Sequence, residues 1–152
     1  MASAVINLEG DARLSEKDGA GGIECDSADD VLTVAAGVET RNTIVPTSIP
    51  VDYFFRATAG QTVRVVIAWN SSTDPASPPT TDVLATDLGL YVYNPNDVVV
   101  TGSDSFNDAY EIVEFVAPST GIYKASILSR RFDGTSEQVG FAVWRGTLKN
   151  RL

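Results

Sequence analysis

The sequence predicts an all-β protein, an antiparallel β-sandwich of about eight strands in a jelly-roll-like arrangement. Three observations lead there. From residue 32 onward, short runs of Val, Ile, Tyr and Phe recur every ~10–15 residues, the spacing of sandwich strands. Inside those runs apolar and polar residues alternate, so one face of each strand is apolar. Between them stand Gly, Pro, Asn and Asp, the residues that tight turns need. At 152 residues and 43% hydrophobic, the chain is sized for one domain with a core of its own.

Residues 6–24 carry Gly10, Gly19, Gly21 and Gly22 among charged residues without two-residue alternation, and read as loop. A short helix is expected next, capped by Asp26 or Ser27, with Asp29 and Asp30 in a first turn where the helix dipole favours negative charge. The division is therefore 1–30 as a leading segment and 31–152 as the sandwich. Strands are expected at 32–36, 51–58, 62–69, 87–93, 98–101, 110–116, 121–128 and 138–145. In the third, Val63, Val65, Ile67 and Trp69 share a core face; in the fourth, Leu88, Leu90 and Val92 do. Turns are expected at Ala59-Gly60, at Asn94-Pro95-Asn96-Asp97, where Pro presets φ, and at Pro118-Ser119-Thr120-Gly121. The break at 70–86, with Pro75, Pro78 and Pro79, is too polar for a strand and too long for a hairpin, and reads as an exposed loop.

Composition removes several kinds of chemistry. The formal net charge is -9, with 11 basic residues, which opposes binding to nucleic acid phosphates. There is no His, so neither a Ser-His-Asp triad nor a His-based zinc site can be built. The single Cys25 can form no internal disulfide and has no cationic neighbour to activate it. No apolar run is long enough to span a membrane. The Asn70-Ser71-Ser72 sequon and the Gly19–Gly22 stretch are short matches with nothing beside them to support a role.

Two groups of residues remain as candidates. An oxygen-rich set surrounds the middle strands: Asp82, Asp87, Asp104, Asn107, Asp108, Glu111 and Glu114. Calcium takes six to eight such oxygens, and loops at one end of a sandwich can converge them, although the spacing is not that of an EF-hand. The bland alternative is that these acids solvate loops. The pairs Asp104 with Asp108 and Glu111 with Glu114 also have the residue types for acid–base work on a glycosidic bond, but no predicted cleft holds them. The aromatic group comprises Tyr91 and Tyr93, on one strand face, as a surface for substrate or sugar; Trp69 and Trp144 as core; and Tyr123 as a corner residue bonding its hydroxyl to backbone.

The segment Asp87-Leu88-Gly89-Leu90-Tyr91-Val92-Tyr93-Asn94-Pro95-Asn96, followed by Tyr110-Glu111-Ile112-Val113-Glu114-Phe115-Val116-Ala117-Pro118-Ser119-Thr120-Gly121-Ile122-Tyr123, resembles the C-terminal β-domain of secreted subtilisin-like serine proteases. There the pattern runs roughly DLDLYVYDPNG, then VEFTAPxTGTY. Residues 63–70 resemble the preceding strand, and 9–21 the tail of the peptidase domain. The resemblance implies a jelly-roll accessory domain in the style of pre-peptidase C-terminal domains and P-domains, secreted and non-catalytic. Such a domain stabilises its parent peptidase, in part through calcium, or binds protein substrate. Gly89 stands where the family has a second Asp, and Asn94 where it has Asp, so Asp87 is the one acid carried over on that strand. The expected sites are thus Asp87, Asp104, Asp108, Asp82 and Asn107 for calcium, with Tyr91 and Tyr93 for substrate. A carbohydrate-binding module and a cell-surface assembly module are the alternatives.

Overall fold

The structure, a computed structural model, describes residues 37–71, 84–106, 108–132 and 136–146. Eight strands form: β1 (Gly37–Ile44), β2 (Val51–Ala57), β3 (Thr62–Trp69), β4 (Asp87–Tyr93), β5 (Val99–Ser103), β6 (Tyr110–Val116), β7 (Gly121–Arg131) and β8 (Glu137–Gly146). They make two four-stranded sheets, β1-β8-β3-β6 and β2-β7-β4-β5, antiparallel throughout. Consecutive strands fall in different sheets except at the β4–β5 hairpin, and the first and last strands pair. That is jelly-roll order.

The core is the apolar face of each alternation. Val63, Val65, Ile67 and Trp69 of β3 meet Leu88, Leu90 and Val92 of β4, with Phe55, Tyr123, Ile127, Phe141 and Val143 between the sheets. Tyr53 stacks on Phe141 with ring centres 4.2 Å apart, and Phe55 on Tyr123 at 5.7 Å. Of the two tryptophans expected in the core, Trp69 is there, its indole N–H donating to Thr86 O at 2.9 Å. Trp144 is buried as expected, but on the opposite face of its sheet with Val66, Ile112 and Ala142, and its indole N–H has no partner. One residue decides this: Val143 takes the inward position of β8, so its neighbour points out.

Turn chemistry matches the sequence reading. Gly60 has φ +82° between β2 and β3. Asn94 Oδ1 accepts from Asn96 N and Val98 N, and Asp97 N donates to Asn94 O, which closes the β4–β5 turn. At the β6–β7 corner the Tyr123 hydroxyl donates to Ser119 O at 2.7 Å, the expected tyrosine lock.

Three expectations need correction or fall elsewhere. The predicted strand at 32–36, the short helix, Cys25 and the 1–30 segment lie outside the described residues. Among the described residues the strand that opens the sandwich is β1, which the sequence reading missed; Gly37 and the polar run Glu39-Thr40-Arg41-Asn42-Thr43 hide it, yet it pairs with β8 without a break from Gly37↔Trp144 to Ile44↔Glu137. The 70–86 break ends inside the protein, because Ala85 and Thr86 are buried and Thr86 N is held by Ser71 Oγ at 2.9 Å.

Strand direction sorts the connections into two ends. The turns β2–β3, β4–β5 and β6–β7 lie at one end, with the start of β1 and the finish of β8. The β1–β2, β3–β4, β5–β6 and β7–β8 connections lie at the other. The second end carries the acids.

Candidate functional site

At that acid-bearing end, Asp87 opens β4, Asp104 and Phe106 follow β5, Asp108 and Glu111 border the start of β6, and Arg130 and Arg131 finish β7. The jelly-roll path therefore brings together acids that are up to 24 positions apart in sequence. Asp87, Asp104, Phe106, Arg130 and Arg131 line an open cleft of ≈ 440 Å³.

The centre of the group is an ion pair. Arg130 grips the Asp104 carboxylate through Nε at 2.9–3.1 Å and through Nη2, which also donates to Tyr91 Oη at 3.1 Å. Tyr91 in turn donates to Asp104 Oδ2 at 3.0 Å. Gly89 makes room for this: a Cβ there would stand 2.8 Å from Asp104 Oδ1. Gly102 does the same for the Tyr91 ring, which lies over it. The departure noted at Gly89 thus has a local cause, since the Asp104 carboxylate, just past the neighbouring strand, occupies the space above it. The Arg130 hydrogen bond holds the Asp104 carboxyl below the usual range, and Asp104 pushes the Arg130 guanidinium up.

Asp87 and Glu111 behave oppositely. Asp87 is 2% exposed, and burial raises its pKa against the opposing field of Arg131. Its Oδ1 has no hydrogen-bond partner. Glu111 is 1% exposed, on the inward face of β6, and burial raises it to about 7 despite bonds from Ser103 Oγ and from Ser105 N at 2.6 Å. Asp108 accepts from Ser105 Oγ at 2.6 Å. These bonds fasten the β5–β6 connection down.

For calcium, the expected ligands among the described residues are not arranged as a shell. Asp104 is taken by Arg130 and Tyr91, two guanidinium groups border Asp87, and Asp82 and Asn107 lie outside the described residues. Among the described residues no group of three carboxylates converges as metal ligands do. In the two carboxylate pairs, Glu111 points inward while Glu114 is bound on the outer face by Arg64 at 2.5–2.9 Å, and Asp104 and Asp108 are engaged by Arg130 and by Ser105. Tyr91 and Tyr93 do share the outward face of β4, but neither ring is free. Tyr91 is fixed as described, and Lys124 Nζ sits 4.4 Å from the Tyr93 ring centre while paired to Asp97 at 2.6 Å.

The sequence reading missed Arg130, Arg131 and Phe106. A signal existed for the first two, since they are the only adjacent basic residues in the sequence and stand just past an expected strand end.

Fold and site together define a jelly-roll sandwich with a mixed-charge cleft at one end. No protein-family model matches the chain, and no curated protein matches it. Among solved structures it is similar to PliG of Aeromonas hydrophila, a periplasmic inhibitor of g-type lysozyme, with 16% identity, a TM-score of 0.49, and coverage of 74% of this chain and 88% of that one.

Proposed function

We propose that this chain is a non-catalytic docking domain, accessory to a secreted subtilisin-like serine endopeptidase, which it stabilises or supplies with protein substrate. The observation that supports it best is the outer face of β2-β7-β4-β5. There Phe54 is 64% exposed and Ile122 54% exposed, on neighbouring strands in adjacent registers (Phe54↔Lys124, Arg56↔Ile122). An apolar pair on an open sheet face, rimmed by Asp52, Arg56 and Lys124, is the kind of surface that a protein partner covers. The sequence segments that resemble the protease family build the β4–β5 turn and the β6–β7 corner, that is, the frame that holds this face. Among the described residues no helix is long and apolar enough to cross a membrane.

Two measurements test the reading. The reading frame encoding this chain is expected also to encode a peptidase domain with Asp, His and Ser motifs; a frame without one overturns the accessory role. In the full-length protein, Phe54→Ser with Ile122→Ser is expected to shorten the half-life of peptidase activity on heating, while the melting temperature of the separate sandwich stays within a few degrees. Calcium enters as a stabiliser by way of the oxygen-rich residue set and the sequence resemblance. A melt in calcium against one in EDTA examines it: a calcium-specific rise supports that part of the reading, and an unchanged melt removes it.

A further inference from the structure

The end cleft carries three features that the docking face does not use. Asp87, in its lining, holds a buried carboxylate oxygen with no partner, and native proteins seldom leave such an acceptor unpaired. Arg130 commits Nε and Nη2 to Asp104 and Tyr91, which leaves Nη1 outside those bonds. Phe106 is 59% exposed at the same cleft, with the Arg131 guanidinium 5.2 Å from its ring centre.

We propose that this cleft binds a sugar ring of a glycan, with one hydroxyl donating to Asp87 Oδ1, a neighbouring hydroxyl accepting from Arg130 Nη1, and the C–H face of the ring packed on Phe106. The charge pattern selects the ligand. Among the described residues two carboxylates and two guanidinium groups line the cleft, so a free cation meets Arg130 and Arg131, and a free anion meets Asp87 and Asp104. Adjacent hydroxyls both donate and accept, so a neutral polyol serves both signs at once. An apolar ligand would satisfy neither Asp87 nor Arg130. The volume of ≈ 440 Å³ is in the usual range for small-ligand sites. This site is not the tyrosine platform expected from sequence, whose rings are engaged within the protein. It stands independently of the peptidase reading, since it uses another surface.

The test is calorimetric titration of the separate domain with the hexaoses of cellulose, chitin, xylan, mannan and β-1,3-glucan, and with calcium chloride. At least one oligosaccharide is expected to bind. Phe106→Ala should weaken that binding about tenfold (~1.4 kcal/mol) with an unchanged melting temperature. Asp87→Leu, which keeps the branching of the side chain and removes the unpaired acceptor, should abolish binding while the melting temperature holds or rises. The proposal is overturned if none of the five binds, if binding is the same in both variants, or if calcium binds at Asp87 and no sugar does.

Discussion

At the scale of single residues, three buried or half-buried acids at one end of the sandwich titrate in opposite senses, and the cause is what each touches. Glu111 has its pKa raised by burial to about 7. The folded protein therefore holds a proton there that the unfolded chain releases above about 4.5. Its stabilising contribution is complete below that value and is lost as pH rises through about 7. Asp87, also raised by burial, acts in the same direction, whereas Asp104, held low by Arg130, costs stability only in acid. Glu111→Gln is thus expected to flatten the fall in stability between pH 5 and 8, a fall on the order of 3 kcal/mol for a buried shift of this size. Urea unfolding at the two pH values measures it, and an unaltered slope would assign the pH dependence elsewhere. Gly89→Ala should break the Arg130–Asp104–Tyr91 unit, because the new methyl meets Asp104 Oδ1; a lower melting temperature is the expected result.

At the scale of strands and turns, the β6–β7 corner offers the sharpest tests. A Cβ on Gly121 would lie 2.5 Å from the Pro95 ring, which belongs to the β4–β5 turn, so the two turns interlock. Gly121→Ala should cost about 1–3 kcal/mol, the usual penalty for overpacking a stiff neighbour. Tyr123→Phe keeps the buried ring and removes the bond to Ser119 O, a loss of roughly 0.5–1.5 kcal/mol. Chemical denaturation of each variant measures both. This was also the scale at which the sequence was most legible. β3, β4 and β6 begin and end where alternation and turn residues placed them, because their core-facing residues recur at every second position (Val63, Val65, Ile67 and Trp69; Leu88, Leu90 and Val92; Val113 and Phe115) between clear turn residues. β1 was missed because its middle is polar and its pairing with β8 is non-local. β7 was read three residues short, because Ser129, Arg130 and Arg131 carry no strand pattern although they continue the ladder to Asp87. The site was half legible for the same reason. Its acids stand out as composition, but that Asp104 meets Arg130 rather than a metal depends on which loops the jelly-roll path brings to one end.

For the molecule as a whole, the pairing of β1 with β8 fixes more than sheet order. Gly37 faces Trp144, so the described chain enters and leaves the sandwich side by side, at the end opposite the cleft of Asp87 and Arg130. Anything joined to the chain there would hold the domain like a flag by its pole, with the cleft at the free edge. The same geometry has a mechanical side. Tension applied through residues 37 and 146 pulls an antiparallel pair apart from its adjacent ends, loading its hydrogen bonds one after another rather than all together. Such a tether is a weak shock absorber and a good presenter: it yields early under force, and it keeps the ligand-facing end as far as the fold permits from whatever anchors the chain.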